Sequence, residues 1–352
     1  MKFKTEVSVP TGELHLQPGD GAVLLGSCFS EGIGSRLQGL KFRCAVNPFG
    51  VLYNPGSIAG ALELLLSSPT ERARAVEASL FRWPTNGEPG LWHSRLFSGT
   101  FSNPKRQATL DACMESVERA AALIRSPKCA ALLITFGTPM AYIYKDTATV
   151  AANCHGVPAA EFTTEWYSAA RTAALFLPLL ERIWQELNAE LKVVFTVSPY
   201  RYAAYGFHRS AIGKAELLLA VDAIEKAFPG RCFYFPAFEI LTDELRDYRF
   251  YAPDMLHPSP QAVDYIFEKF CSFALSPAAT DFATQWKGIE KFLLHRPLHP
   301  ENTASRKAAA RGQMERINRL AATCPSVDFT AERKRLEEII NQPIETPPDY
   351  EI

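Results

Sequence analysis

The chain has 352 residues, 47% hydrophobic and 21% charged, an ordinary globular composition with enough length for one large domain or two ordinary ones. Its formal net charge is −1, so no excess of either sign points to nucleic acid or to a charged membrane surface. The start, Met1-Lys2-Phe3-Lys4, carries no apolar signal core, and the longest apolar runs, such as 130–136, fall far below the roughly 18 residues a membrane span needs.

In chain order, five short apolar runs rich in branched residues read as strands, at 22–27, 42–46, 130–136, 191–197 and 232–235. Helical periodicity follows at 58–66, 110–124, 166–187, 215–228 and 262–275. Strands alternating with helices predict a parallel sheet covered on both faces, with ligands beyond the carboxyl ends of the strands. The turns that leave the first four strands, Gly26-Ser27-Cys28-Phe29-Ser30, Asn47-Pro48-Phe49-Gly50, Gly137-Thr138-Pro139 and Ser198-Pro199-Tyr200-Arg201, should then line one cleft. The stretch 81–103 has no clear period and reads as a covering loop. Residues 276–352 lack strand signals and read as helices at 281–294, 304–322 and 330–341, giving an α/β unit over 1–275 and a helical extension over 276–352. The eight cysteines show no CxxC spacing, and most lie in apolar stretches, which suits free thiols in a reducing, cytoplasmic compartment.

Two motifs carry the chemistry. At Leu24-Leu25-Gly26-Ser27-Cys28, an apolar strand runs into glycine and then into a helix, placing a hydroxyl or a thiol at a helix amino end. Free N–H groups and the positive end of the dipole stabilise an anion there. The plainer alternative is a capping serine and a core cysteine. Further on, Asp254-Met255-Leu256-His257 places a carboxylate three residues before an imidazole, a spacing that can orient the ring as a general base, or can be an N-capping Asp beside a surface His. Gly50, through its N–H, and Asn153, through its amide, are candidate oxyanion donors, each with an ordinary turn role as the alternative.

At these residues the chain resembles the GSCFA family, named for a Gly-Ser-Cys-Phe-Ala motif that reads Gly26-Ser27-Cys28-Phe29-Ser30 here. Similar blocks are Asn47-Pro48-Phe49-Gly50-Val51-Leu52-Tyr53-Asn54-Pro55, Phe136-Gly137-Thr138, Asn153-Cys154-His155, Ser198-Pro199, Asp247-Tyr248-Arg249-Phe250-Tyr251, His257-Pro258 and His295-Arg296-Pro297. The family in turn resembles the SGNH (GDSL-like) esterase superfamily. That implies a three-layer, flavodoxin-like α/β/α fold with a central parallel sheet of about five strands. It also implies ester hydrolysis or acyl transfer, with Asp254 and His257 in the last block and Gly50 as the oxyanion glycine. Laid on Gly-Asp-Ser, the motif puts Cys28 at the nucleophile; matched by residue type, it puts Ser27 there. The turn Gly137-Thr138-Pro139-Met140 lacks the superfamily's Asn, and Asn153 is the substitute; Tyr202 stands where the family has a His. His155, Arg201, Gly137 and Thr138 are candidate substrate contacts. The expected partner is a small-molecule or carbohydrate ester, with no nucleic acid or membrane partner. No metal site is expected, since His155, His208 and His257 have no paired ligand spacing, and no cofactor, since no GxGxxG or GxxxxGK[ST] occurs. A non-catalytic carbohydrate- or metabolite-binding protein on a degenerate hydrolase fold is the rival reading.

Overall fold

The computed structural model describes residues 4–85, 88–295 and 303–342. Five of the strands pair in parallel: β1 (Gly21–Gly26), β2 (Arg43–Val46), β5 (Cys129–Phe136), β8 (Lys192–Val197) and β9 (Cys232–Tyr234), in spatial order β2-β1-β5-β8-β9. This is the flavodoxin-like 2-1-3-4-5 order, with β1 near the point where the winding reverses. The register sets Val23 opposite Ala45 and Leu132, and Leu132 opposite Val193.

Alternation along the strands divides the core in two. Val23, Leu25, Leu132, Ile134, Val193 and Phe195 face a layer made of α2 (Pro55–Leu66), α4 (Arg106–Arg125), α5 (Ala169–Glu186) and α6 (Phe207–Ala227). Ala22, Leu24, Ala131, Leu133 and Val194 face α1 (Cys28–Gly39), α8 (Pro260–Ala274) and α9 (Pro277–Leu294). Burial on both faces is why these strands read as continuous apolar runs. The short α7 (Ala237–Glu239) joins β9 to α8 by way of the 254–257 loop.

The tail helices share the second core. Trp286 of α9, Ile317 of α10 (Thr303–Thr323) and Leu336 of α11 (Thr330–Asn341) belong to the same apolar cluster as α1 and α8. Trp286 Nε1 donates to Gly39 O at 2.7 Å, Lys41 meets Glu332 at 2.6 Å, and Ser326 Oγ donates to Pro18 O at 2.7 Å. Of the segment His295-Arg296-Pro297, only His295 falls among the described residues. No helix among the described residues is long and apolar enough to cross a membrane.

The stretch 81–103, expected to have no clear period, is in part regular. It contains an antiparallel hairpin, β3 (Leu80–Thr85) with β4 (Glu88–Ser94), then a single 3₁₀ turn at Gly99–Phe101. A second hairpin, β6 (Met140–Tyr144) with β7 (Phe162–Trp166), and a further helix, α3 (Pro69–Ala78), complete the fold. The two hairpins meet where Phe81 and Trp83 pack on Tyr144, Val157 and Phe162.

Candidate active site

Strand β1 is wholly buried and ends where only glycine fits. Gly26 has φ +139°, and a Cβ there would lie 2.2 Å from Thr135 O on β5. The chain then turns into α1. Ser27 is its N-cap, with the side-chain oxygen accepting from Phe29 N–H at 3.3 Å and only 1% of the residue exposed. Cys28 is the first helical residue and is partly open to solvent. Ser30 Oγ donates to Thr135 Oγ1 at 2.8 Å and pins the helix start to the sheet. Of the two nucleophile candidates, the hydroxyl is thus a buried cap, whereas the cysteine is partly exposed. Burial pushes the Cys28 thiol up from its ordinary value, and Glu31 adds to this. The N–H groups of Cys28 and Phe29, together with the Lys214 ammonium, pull in the other direction.

The segment after β2 laces the ends of three strands together. Asn47 N–H donates to Leu24 O at 2.8 Å, Leu52 N–H to Gly26 O at 2.9 Å, and Tyr53 O accepts from Gly137 N–H at 2.8 Å and Thr138 N–H at 2.9 Å. Asn47 is 5% exposed, its Nδ2 lies 3.5 Å from Ser27 O, and its Oδ1 is buried without a partner. Gly50 does not fill its expected role here, because its N–H is already bonded to Asn47 O at 2.7 Å. Its need for glycine is conformational: φ is +72°, and a Cβ would sit 1.7 Å from Ser98 Oγ. The amides of Gly137 and Thr138 are likewise taken up by Tyr53 O, so those two residues shape the floor of the cleft rather than offering free donors.

The Asp254 loop is a tight structure of its own. Ala252 N–H donates to His257 O at 2.8 Å, and Met255 N–H to Ala252 O at 2.9 Å. Asp254 Oδ1 accepts from the N–H groups of Leu256 and His257, both at 2.9 Å, and Oδ2 lies 2.5 Å from His257 Nδ1. The imidazole contact, followed by these amide bonds, holds the Asp254 carboxyl down at about 2. Nδ1 therefore carries a proton toward the carboxylate, and Nε2 is left as the basic nitrogen. The side chains are 45% (His257) and 43% (Asp254) exposed at the cleft rim.

The loop docks on the exit from β8. The Tyr200 ring lies 4.3 Å from the His257 ring, and Arg201 donates to the loop through N–H to Leu256 O at 3.0 Å and Nη1 to Met255 O at 3.2 Å. The Arg201 guanidinium also stacks over Phe207, Tyr248 and Tyr251, which makes it a clamp between the two loops. Burial raises the Tyr200 hydroxyl, and Tyr202, Asp254 and Cys28 add to the effect, so Tyr200 lies within electrostatic reach of both the carboxylate and the thiol. Among the described residues no hydrogen bond joins Cys28 Sγ directly to the imidazole.

Asn153 and His155 sit elsewhere. Asn153 Oδ1 accepts from His155 N–H at 2.8 Å, and its backbone carbonyl accepts from Tyr144 at 3.0 Å, which ties it into its own turn rather than to Cys28. His155 Nε2 donates to Ser94 O at 2.9 Å, and its ring packs on His93 at 4.6 Å and on Phe81 at 5.7 Å. Burial, then His93, depresses its titration to about 4. The contacts of this pair hold the hairpin junction together, and no hydrogen bond among the described residues joins either side chain to Cys28 or His257.

The GSCFA family model matches residues 22–270. The chain belongs to the GSCFA family. The matched span runs from β1 through most of α8 and contains every candidate residue above, leaving the GSCFA chain's last three helices outside it. No curated protein matches this GSCFA chain.

One residue at this GSCFA site is absent from the sequence reading. Lys214 of α6 is 5% exposed, and its Nζ donates to Gly137 O at 2.8 Å and Ser198 O at 2.7 Å, the carbonyls just past β5 and β8. The signal was present: Lys214 falls in phase with the buried stripe Leu217, Val221 and Ile224, where a helix turns its core face inward.

Proposed function

We propose that this chain is an esterase or O-acyltransferase that works through an acyl-thioester on Cys28. The observation that carries the reading is the Asp254–His257 pair: one carboxylate oxygen is locked by two backbone amides, and the other holds Nδ1, so that Nε2 is oriented as a base. The same pair, together with the 2-1-3-4-5 sheet, supports reading the chain as related to the SGNH superfamily.

His257 Nε2 takes the Cys28 thiol proton once the half-exposed 251–258 loop brings the imidazole over Tyr200 to the sulfur. The sulfur attacks the ester carbonyl, and the oxyanion that forms is met by the N–H groups at the start of α1. The C–O bond breaks, the alcohol leaves with the proton from His257, and a thioester remains. Water or an acceptor hydroxyl then gives its proton to His257 and attacks the thioester, which returns the thiolate. Tyr53, Tyr200, Tyr202 and Tyr205 stand near the mouth, a lining that suits the faces of sugar rings and favours an acylated carbohydrate.

The test is acyl transfer from an activated acetyl ester, followed by mass spectrometry. Acetyl should appear on Cys28, Cys28→Ala should be inactive, and Ser27→Ala should stay active. Full activity in His257→Ala would sink the mechanism. The thiol raised by burial favours the rival, a non-catalytic carbohydrate- or metabolite-binding protein; it predicts no acetyl on Cys28 and unchanged sugar binding in Cys28→Ala.

A further inference from the structure

Beside the cleft, two hollows meet at Trp166 of β7 and Arg209 of α6. The wider, of about 350 Å³, is completed by His208 and Ile212 and has the size of a small-molecule site. The narrower is a slot of about 10 Å³, room for roughly one water-sized oxygen. Gly137 and Thr138, which shape the cleft floor, wall this slot together with Tyr202, Tyr205, Ser210 and Lys214. Among the described residues no Asp or Glu lines either hollow, whereas two cations do. Lys214 is 5% exposed, and two of its three ammonium protons go to the Gly137 and Ser198 carbonyls, which leaves one for a ligand. The Arg209 guanidinium lies 5.0 Å from the centre of the Trp166 ring, and a guanidinium stacked on an aromatic face keeps its N–H edge for a carboxylate. A buried ammonium is costly without an anion, and here the anion can arrive with the ligand. A row of rings joins the slot to the base: His257 to Tyr200 at 4.3 Å, Tyr200 to Tyr202 at 6.0 Å, and Tyr202 to Tyr205 at 4.3 Å.

We propose that Lys214 and Arg209 form a carboxylate subsite, so that the carbohydrate acted on at this cleft is an acidic one: a uronic acid unit rests against Trp166 and gives one carboxylate oxygen to each cation. This rests on the reading of the cleft as a site for acylated carbohydrate. A planar carboxylate suits a slot that admits a single oxygen. The ammonium is the form of Lys214 that binds. Burial drives it down to about 7, and an entering carboxylate favours the charged form and raises the midpoint. The titratable groups around Lys214 are Tyr202 and Tyr205 from the β8–α6 loop, Arg209 on its own helix and Cys28 at the start of α1. Burial raises both Tyr205 and Cys28, so neither supplies a charge change near neutral pH.

The test is a parallel titration of D-glucuronate and D-glucose into the full-length protein, with dissociation constants and the ¹³Cε signal of labelled Lys214 followed by NMR. At pH 6 glucuronate should bind about tenfold more tightly than glucose, and most of that margin should be gone at pH 8.5, where the ammonium has lost its proton. Glucuronate, and not glucose, should raise the Lys214 midpoint. Arg209→Gln, at an exposed position, should lose part of the margin at both pH values, and folded Lys214→Met should lose its pH dependence. Equal binding of the two sugars, or a Lys214 midpoint that glucuronate leaves unmoved, overturns the proposal. Inorganic phosphate that moves Lys214 as far as glucuronate does overturns the acidic-sugar assignment in favour of a simple anion site. Neither readout uses ester turnover. If acetyl reaches Cys28 while the two sugars bind equally, the ester chemistry stands and the acidic substrate falls; if glucuronate is preferred but Cys28 takes up no acetyl, the ester chemistry falls and the carboxylate subsite stands.

Discussion

His257 on the cleft rim and His155 at the hairpin junction each have one ring nitrogen engaged and, among the described residues, no hydrogen bond at the other. At His257 the engaged nitrogen faces a carboxylate 2.5 Å away, and the side chain is 45% exposed. At His155 it faces the Ser94 carbonyl at 2.9 Å, and the unpartnered Nδ1 is buried. A carboxylate repays the charge of an imidazolium; a carbonyl inside an aromatic cluster repays little of it. Two histidines with similar hydrogen-bond inventories therefore differ in surroundings: one faces a carboxylate on the cleft rim, and the other is held neutral by burial where two hairpins meet.

The sharpest break in that comparison is expected from Asp254→Asn. The amide keeps an acceptor for the Leu256 and His257 N–H groups but turns a donor toward Nδ1, which forces the wrong tautomer. Esterase kcat/KM should fall by about 10²–10⁴-fold, while His155→Gln should leave it within a few-fold. Equal losses in the two variants would erase the distinction.

The next effect concerns stability. His155 titrates at about 4 in the folded protein, below the roughly 6.5 of an unfolded chain, so the native state binds fewer protons between those values. Its contribution is complete above pH 6.5 and is lost as pH falls through 4, amounting to about 3 kcal/mol at the acid end. Urea unfolding at pH 7.5 and pH 4 should show this loss in the wild type and a flatter profile in His155→Phe. The same acid loss in His155→Phe would place its origin elsewhere.

How much of this the sequence carries depends on how locally each feature is encoded. The five parallel strands are legible because both faces are buried, and Ala22-Val23-Leu24-Leu25 or Leu132-Leu133-Ile134 leave no polar phase to confuse. The hairpins are not: Pro84 and Gly90 break the period of β3–β4, and Trp166, which closes β7, reads equally well as the start of α5. Helix α3 buries only Arg72 and Val76, so it shows no apolar stripe. Asp254 and His257 could be paired from spacing because one turn of chain joins them. Gly50 could not be assigned, since whether a donor is free depends on its own turn, and its N–H is spent on Asn47 O; Asn153 sits in a turn of its own in which its Oδ1 accepts from His155 N–H. Lys214 lies 186 positions beyond Cys28 in the numbering, and only the crossover to β8 and α6 brings it to the same end of the sheet.

The smallest predicted effect probes His155 through its neighbour. After burial, the second cause of its depressed titration is His93, whose ring lies 4.6 Å away and whose own titration burial also lowers. His93 Nδ1 pairs with Ser102 Oγ at 2.6 Å, so His93→Gln keeps a polar partner for that hydroxyl while removing one of two groups competing for protons. With that competitor gone, the His155 midpoint should rise by a fraction of a pH unit, and the acid loss of stability should end at correspondingly higher pH and be smaller, because a folded-state midpoint closer to the unfolded one narrows the window. NMR of the His155 ring protons against pH reads this directly. The pH–rate profile of ester hydrolysis should not move, because nothing links the hairpin histidines to the rim. A shifted profile would mean that the two regions are electrostatically joined after all, and that His155 takes part in setting the base.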